Sequence, residues 1–199
     1  MHTHALGISA PCKEELLDWA YPVHVISPEA VVERKGGAFN NFRGHVNNAF
    51  RKNIRAEIID VVKHGDDIRE TVRRWATSSR KEGFTYQDLV SPTETCLQLM
   101  EEKRLPLQGI ITYADGKPVG FWIWDESDQK KGMATSMVRV AMPPRGSAEF
   151  GALKACEVLH SRGFSEFCQG GSETASLDAF KRKMSPVRSI ELNSALQVA

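Results

Sequence analysis

Two glycines, a hydroxyl and a carboxylate follow one another at Gly170–Glu173, directly before a predicted helix. Glycine lets backbone N–H groups come close to an anion, and the start of a helix adds partial positive charge. This pattern predicts a substrate-binding loop formed by Gly171 and Ser172, with Glu173 binding or deprotonating an acceptor amine. The same residues also fit a plain turn, in which Ser172 is the helix N-cap and Glu173 favours the first turn.

Two lysines lie farther along the same predicted helix, at Lys181 and Lys183. Positions two apart on a helix point about 200° from each other, so the two ammonium groups need not serve one site. Either lysine is suited to neutralise a phosphate or carboxylate of the donor or the substrate. We predict that Lys181 acts beside Glu173 in catalysis and that Lys183 binds substrate, with a solvated basic helix face as the alternative.

A second group of polar side chains lies in the helix predicted over 38–53. Arg43, Asn47 and Arg51 recur every four residues and therefore share one stripe of that helix. Within its first eleven residues the same helix holds four asparagines, which are poor helix formers. We therefore predict that Arg43 and Asn47 bind substrate, and a solvated helix face is again the alternative.

Two arginines stand where a partner is needed. Arg139 interrupts an otherwise apolar strand predicted over 135–142, and a charge there needs a counter-ion or a ligand. Arg145 follows two consecutive prolines, which lack backbone N–H donors, and its side chain is suited to contact a phosphate. Both arginines are predicted to bind substrate. For Arg139, outward exposure or a structural ion pair is the alternative.

Other catalytic chemistries lack a matching pattern. The histidines show no H-E-x-x-H or similar spacing, so no metal site is predicted. No G-x-S-x-G element occurs and no cysteine has a persuasive base nearby, which leaves covalent catalysis without support. Direct attack of a bound amine on a bound ester fits better, with oxyanion hydrogen bonds from the strand edge at 139–142.

Composition predicts a soluble domain. The chain has 199 residues, of which 41% are hydrophobic and 26% charged, so it can form a core and is not disordered. The net charge of +1 gives no bulk basic field, so a nucleic acid would have to bind a local patch. No segment approaches the roughly 18 apolar residues of a membrane span, and the four dispersed cysteines fit a reducing compartment. We expect a cytoplasmic protein without a signal peptide.

Hydrophobic periodicity and turn residues outline the elements that must position these groups. Predicted helices cover residues 11–20, 28–35, 38–53, 66–82, 92–103, 147–162 and 172–184. Predicted strands cover 21–26, 54–61, 107–113, 119–125, 135–142, 164–168 and 187–192. Asp115-Gly116 indicates a hairpin between the third and fourth strands, and the strand, helix, strand order that follows indicates a parallel crossover. The expected fold class is α/β or α+β with one mixed sheet.

Two segments carry a family resemblance: GGAFNNFRGHVNNAF at Gly36–Phe50 and GGSETASLDAFKRKMSPVRSIEL at Gly170–Leu192. Both resemble the domain found at the C-terminus of phosphatidylglycerol lysyltransferases and their soluble relatives. The resemblance implies a GNAT-like acyltransferase fold as a single domain over 1–199, with a reduced N-terminal portion at 1–35. It also implies aminoacyl-tRNA as the donor, without a separate cofactor. The implied reaction moves an aminoacyl group to an amine or hydroxyl of a soluble small molecule or peptide.

The sequence departs from that family at one informative position. Ser136 stands where the lysyltransferases carry an acidic residue shortly before the strand arginine, and a carboxylate is the natural partner of a substrate amine. The resemblance therefore does not extend to a lysyl donor. Because no membrane-spanning portion is present in the sequence, a soluble acceptor is expected rather than a lipid.

Two other function classes stay open. One is an N-acyltransferase that uses acetyl-CoA or acyl-CoA, but Pro143-Pro144 lacks two of the N–H groups that such enzymes direct at pyrophosphate. The other is a non-catalytic GNAT-like module that binds a partner chain, and a homodimer is one of the open oligomeric states. Under the tRNA hypothesis a basic patch would contact RNA phosphates. That patch is formed by Arg43, Arg51, Arg55, Lys181 and Lys183.

Overall fold

Seven strands form one mixed sheet in the computed structural model, which describes residues 21–78 and 85–191. The strands are β1 (Val23–Ile26), β2 (Arg55–Ile58), β3 (Leu107–Ala114), β4 (Lys117–Asp125), β5 (Met133–Ala141), β6 (Glu166–Cys168) and β7 (Arg188–Ile190). The helices are α1 (Pro28–Glu33), α2 (Asn40–Arg51), α3 (Val61–Ser78), α4 (Tyr86–Glu101), α5 (Ser147–Ser161) and α6 (Ala175–Arg182). Across the sheet the strand order is β2-β3-β4-β5-β6-β1-β7. The predicted mixed α/β class is confirmed.

The hairpin of β3 and β4 forms where the sequence predicts it. Asp115 and Gly116 have positive φ angles of 50° and 74°, as the central residues of a type I′ turn do. Ile110 lies opposite Trp122 in the resulting register, and successive residues of each strand alternate between the two faces of the sheet. Both faces of the hairpin are apolar, so each has to be covered by helices.

Helices cover the sheet on both faces. On one face Trp122, Trp124 and Phe167 belong to a buried cluster with residues of α1, α2 and α5. On the other face Ile111 and Phe121 belong to a cluster with residues of α3 and α4. Burying each such side chain contributes about 1.5–3 kcal/mol. The fold is therefore a three-layer arrangement with a mixed sheet in the middle.

The predicted parallel crossover runs from β5 through α5 to β6. Three residues of β5, beginning at Met133, pair in parallel with Glu166–Cys168. The other neighbour of β5 is β4, which is antiparallel and places Trp122 opposite Arg139. β1 inserts between β6 and β7 and is antiparallel to both. The sequence pattern did not predict this position of β1. Because β1 lies near the start and β7 near the end of the described chain, both ends come next to the crossover.

Helix α3 begins earlier than predicted, at Val61 rather than at residue 66. The cause is Asp60, whose carboxylate accepts the N–H of Val62 at 3.0 Å and so satisfies a donor of the first turn. The predicted core residues Ile68 and Val72 are both fully buried. Within the described residues the helix ends at Ser78.

Helix α4 also begins earlier, at Tyr86 rather than at Pro92. Thr85 and Asp88 form a capping box, in which the Thr85 N–H donates to the Asp88 carboxylate at 2.8 Å. The predicted start at Pro92 is therefore wrong, and Pro92 lies inside the helix. A proline there removes one backbone hydrogen bond, the one to the carbonyl four residues earlier.

Two further helix starts differ from the prediction. α6 begins at Ala175 with Thr174 as its N-cap, whose hydroxyl accepts a backbone N–H three residues on at 3.2 Å. The predicted cap at Ser172 is therefore wrong. α2 begins at Asn40 rather than at residue 38, because a 3₁₀ turn at Gly37–Phe39 precedes it.

The remaining predicted strands are confirmed in position, with shorter bounds at the edges of the sheet. The helix predicted over 11–20 lies outside the described residues, as does Cys12. Among the described helices, none combines the length and the apolar character that a bilayer crossing demands.

Gly146 fixes how the loop after β5 meets α2. Its φ of 100° is a conformation that residues with a Cβ rarely adopt. A Cβ at this position would lie 2.5 Å from the backbone carbonyl oxygen of His45. Gly146 is also the N-cap of α5, which begins at Ser147 as predicted.

Replacing Gly146 by alanine should lower the free energy of unfolding by about 1–3 kcal/mol, because the added methyl group meets backbone and strains φ. The matched control is Gly44→Ala in α2, where a Cβ meets nothing within 4 Å. That exchange should stabilise the protein by about 0.5–1 kcal/mol. Urea denaturation followed by circular dichroism measures both values, and equal stability of the two variants would contradict this account of the loop.

Candidate active site

The pairing of β5 with β6 stops after three residues and opens a cleft. Thr135 is the last β5 residue that pairs with β6, although β5 continues to Ala141. After Cys168 the chain turns to β1 instead, and the Gln169 N–H donates to the His24 carbonyl at 2.8 Å. A cavity of about 500 Å³ is lined by both separated segments.

The cavity is enclosed from three directions. The outer half of β5 lines one side, and the turn after β6 together with α6 lines another. Trp75 of α3 with Leu89 and Pro92 of α4 completes the lining. The lining residues that carry chemistry are Arg139, Gln169, Gly170, Gly171, Glu173 and Lys181.

The backbone of β5 offers hydrogen-bonding groups to this cavity. In an antiparallel ladder, alternate residues direct their N–H and C=O groups at the neighbouring strand. The Met142 N–H donates to the Val119 carbonyl of β4 at 2.7 Å, so by alternation Val140 also bonds to β4. The N–H groups of Arg139 and Ala141 therefore face the side that β6 has left. This is the strand edge that the sequence analysis predicted as a source of oxyanion hydrogen bonds.

Arg139 places a cation between two aromatic rings. Its guanidinium carbon lies 4.9 Å from the ring centre of Trp122 and 4.2 Å from that of Phe180, which is a cation–π arrangement. Its Nη1 is buried without a hydrogen-bond partner among the described residues. Burial lowers the pKa of Arg139 to about 10, while the carboxylates of Glu173 and Glu149 favour its charged form. The guanidinium is therefore charged at neutral pH and retains a donor for a carbonyl oxygen or an anion.

Lys181 is buried, with 2% of the residue exposed, and it holds the Gly-Gly turn by its carbonyl groups. Its Nζ donates to the carbonyl of Gly170 at 2.9 Å and also to that of Gly171. A trans peptide directs N–H opposite to C=O, so the N–H groups of Gly171 and Ser172 point away from the ammonium. Lys181 thus orients the turn, and its predicted catalytic role stays a prediction.

A buried charged cluster anchors α6 to β1. The Nε2 of His24 lies 2.7 Å from the Oδ1 of Asp178, and the Nε of Arg182 donates to the Oδ2 of Asp178 at 2.6 Å. The Nδ1 of His24 lies 2.8 Å from the Oγ of Ser189 on β7. Burial alone would raise the pKa of Asp178, but the hydrogen bonds from Arg182 and His24 outweigh it and hold that pKa below its usual range. The helix that carries Lys181 is therefore fixed to the sheet by charge as well as by packing.

The end of α6 is tied to α5 through a second buried carboxylate. The Nζ of Lys183 donates to the Oε1 of Glu149 at 2.8 Å, and Glu149 lies in the first turn of α5 with 4% exposure. The Nδ1 of His45 on α2 lies 3.7 Å from the same oxygen. Lys183 does not line the cavity, and its ammonium serves this junction of three helices.

The other predicted binding residues lie away from the cavity lining. The Nη1 of Arg43 donates to the carbonyl of Gly36 at 2.8 Å. Asn47 and Arg145 are exposed, and the Arg145 carbonyl accepts from the Nδ2 of Asn48 at 2.8 Å. The residues that the structure leaves outside the lining are Arg43, Asn47, Arg145, Ser172 and Lys183. Their substrate contacts stay predictions.

The predicted basic patch is not one continuous exposed surface. Arg51 and Arg55 are exposed on α2 and β2. Lys181 is buried against backbone carbonyls, and Lys183 is paired with a buried carboxylate. A phosphate backbone can reach the two exposed arginines, whereas Lys181 is inaccessible to it.

Sequence reasoning missed Gln169, the residue between β6 and the Gly-Gly turn. It lines the cavity, and both atoms of its side-chain amide are buried without a partner among the described residues. The hydroxyl of Ser172 is buried in the same way. A polar side chain at the end of a buried strand, directly before two glycines, is the sequence signal that could have indicated Gln169.

Cysteine and metal chemistry find no support in the described part of the chain. Over residues 21–78 and 85–191, no three histidine, cysteine, aspartate or glutamate side chains cluster as metal ligands. Burial raises the pKa of Cys96 to about 11 and also raises that of Cys156, so neither thiol is a ready nucleophile.

Comparison with known proteins places this geometry in a family. Residues 6–188 match the family described as phosphatidylglycerol lysyltransferase, C-terminal. A conserved protein of unknown function from Bacteroides thetaiotaomicron shares the fold with a TM-score of 0.68 and 15% identity over 86% of this chain. The C-terminal domain of a putative lysylphosphatidylglycerol synthetase from Agrobacterium fabrum shares the fold with a TM-score of 0.61 and 18% identity over 85% of this chain. No curated protein sequence matches the chain significantly.

An acetyltransferase shares the fold more distantly. An aminoglycoside acetyltransferase from an uncultured soil metagenomic sample, solved with sisomicin, gives a TM-score of 0.53 and 11% identity, covering 76% of this chain and 99% of its own. The predicted GNAT-like acyltransferase fold is therefore confirmed. The chain spans only 58% of the length of the Bacteroides and Agrobacterium chains.

Replacing Asp178 by asparagine should lower the free energy of unfolding by about 2 kcal/mol at pH 7, because it weakens hydrogen bonds between charged groups. A carboxylate whose folded-state pKa is depressed stabilises the protein above its unfolded-state pKa of about 3.9. That contribution is lost as the pH falls through the folded-state value. The difference between wild type and variant should therefore shrink below about pH 4.

Asp66→Asn is the matched control, because the Asp66 side chain is fully exposed. It should change the free energy of unfolding by less than about 0.5 kcal/mol at any pH. Thermal unfolding between pH 3 and 8 measures both variants. A constant difference between wild type and Asp178→Asn across that range would contradict a charged Asp178.

Proposed function

The chain belongs to the phosphatidylglycerol lysyltransferase C-terminal family, and from that premise we propose that it transfers an aminoacyl group from aminoacyl-tRNA. The acceptor in this proposal is an amine or hydroxyl of a soluble small molecule or peptide. The observation that carries the proposal is the cavity at the parting of β5 and β6. That cavity combines a desolvated guanidinium, a carboxylate and an unpaired strand edge.

Each of these groups has a role in direct aminolysis of an ester. The acceptor nitrogen forms a bond to the aminoacyl carbonyl carbon, and the bond from that carbon to the ribose oxygen of the tRNA breaks. Arg139 and the strand edge beside it would stabilise the negative charge that develops on the carbonyl oxygen. Glu173, which lines the same cavity, would take the proton of the attacking nitrogen. Glu173 would then return that proton to the leaving ribose oxygen, so the step balances without a cofactor.

The loop before α5 favours this donor over a CoA thioester. Pro143 and Pro144 lack N–H groups, and the next residue, Arg145, has its carbonyl engaged by the Asn48 side chain. The loop therefore lacks two of the backbone N–H donors that a CoA donor would use.

The deciding experiment offers the purified chain two donors and three acceptors. The donors are a mixture of charged tRNAs and acetyl-CoA; the acceptors are glycinamide, ethanolamine and phosphatidylglycerol vesicles. Acceptor-dependent loss of aminoacyl-tRNA with glycinamide or ethanolamine, identified by mass spectrometry of the product, is the expected result. Consumption of acetyl-CoA alone, or transfer to the vesicles alone, would overturn the proposal, and no consumption of either donor would favour a partner-binding module.

Replacing Arg139 by methionine should lower kcat/KM about 100-fold, because it removes the charged donor to the developing oxyanion. The free energy of unfolding should stay level or rise, since a buried charge gives way to an apolar chain of similar length. Arg104→Met is the matched control, because the Arg104 side chain is 68% exposed and should leave kcat/KM unchanged. Full activity of a folded Arg139→Met variant would remove this residue from the site.

The exposed end of α2 is the surface proposed to contact tRNA phosphates. Replacing Arg51 by glutamine should reduce the slope of log K against log salt concentration for aminoacyl-tRNA binding by about one. The matched control is Lys131→Gln. The Lys131 side chain is 74% exposed and lies just before the first residue of β5, so its loss should leave the slope unchanged. Filter binding at several salt concentrations measures both slopes, and identical slopes for Arg51→Gln and wild type would place the RNA elsewhere.

A further inference from the structure

Gln169 is a buried amide that the fold itself does not use. Only 4% of the residue is exposed, and neither the Oε1 nor the Nε2 of its side chain has a hydrogen-bond partner among the described residues. Its backbone N–H bonds to the His24 carbonyl at 2.8 Å, so the position of the residue is fixed by β1. The side chain contributes nothing to that bond.

An apolar residue of the same shape would stabilise the fold more. A buried donor or acceptor without a partner destabilises the folded protein, and this side chain has one donor atom and one acceptor atom in that state. The large majority of buried side-chain polar atoms in proteins are satisfied. Two unsatisfied atoms on one side chain that lines the cavity therefore indicate that a ligand satisfies them.

The chemistry of the side chain limits which ligand group fits. A carboxamide donates and accepts at once and carries no charge. A substrate ammonium would use only its oxygen, and a substrate carboxylate only its nitrogen. A primary carboxamide of the substrate uses both, because its C=O and one of its N–H groups lie on the same edge and can form two antiparallel N–H···O bonds. Charged groups already have better partners in the same cavity, at Arg139 and Glu173.

We propose that Gln169 is a specificity-determining residue that recognises an amide group of the substrate. This inference rests on the proposed function. The amide has two sources: a primary carboxamide next to the attacking amine of the acceptor, or the carboxamide side chain of an asparaginyl or glutaminyl donor. In both cases Gln169 holds the amide beside the Gly-Gly turn and leaves the reacting carbonyl to Arg139.

The first arm of the test compares two acceptors that differ in one group. Glycinamide and glycine methyl ester carry the same ammonium, but the ester accepts hydrogen bonds and donates none there. Wild type should use glycinamide at least about tenfold better in kcat/KM, and Gln169→Met should lose that preference. Gln169→Glu, which only accepts, should lose it as well.

The second arm varies the donor with one acceptor held constant. A preference for asparaginyl-tRNA over aspartyl-tRNA that disappears in Gln169→Met would assign the amide to the donor. A preference for glycinamide alone would assign it to the acceptor. If both variants keep every preference of the wild type, Gln169 does not recognise an amide.

A binding measurement separates this inference from the proposed function. N-Acetylglycinamide has amides but no amine, so it binds without reacting, and its affinity is measured by NMR titration of the wild type and of Gln169→Met. Weaker binding to the variant by about tenfold is expected even if no donor supports transfer. Equal binding to both proteins would overturn the inference. Thermal unfolding should show Gln169→Met at least as stable as wild type, which excludes misfolding as the cause of the loss.

Discussion

The constraint on which the rest of the molecule depends is the early end of the β5–β6 pairing. Buried backbone groups must find partners, and β6 pairs with β1 on its other side, a pairing that the Gln169 N–H continues beyond Cys168. The outer half of β5 has no such neighbour on that side among the described residues. The sheet therefore has an unpaired strand edge in its interior as well as the edges at its two ends, and the cavity lies against that interior edge.

Helix α6 faces this edge, and side chains with ionisable groups hold it in place on the side away from the edge. α6 is fixed to β1 through His24 and Asp178, and its end is fixed to α5 through Lys183 and Glu149. Buried ion pairs stabilise a fold weakly, because desolvation offsets most of their attraction. Removing one partner of such a pair is nevertheless costly, because it leaves a buried charge without compensation. The pair therefore favours the one arrangement in which both partners meet. The hydrogen bonds of Asp178 and Glu149 therefore fix where α6 lies beside the cavity.

The local elements were predictable, and the site was predictable only in part. The hairpin at Asp115-Gly116 and the crossover through α5 follow from turn chemistry and periodicity, which depend on neighbours in sequence. The start of α4 was wrong because the proline at Pro92 was taken as a helix start, whereas the capping box at Thr85 decides it. Arg139 was identified because a charge in an apolar strand stands out in any sequence. The family was indicated by the resemblance of two segments, and the family match confirms it.

The residues that escaped prediction are those whose role is set by distant partners. The Gly-Gly turn was expected to meet an anion through its N–H groups, but no local rule indicates that Lys181, ten and eleven residues away, binds the carbonyls. That lysine fixes the peptide planes of the turn, and the N–H groups then point away from the ammonium. A buried cation can thus help to create an anion site without touching the anion, by orienting backbone dipoles. That a substrate approaches those N–H groups closely, as a turn without Cβ atoms would allow, stays a prediction.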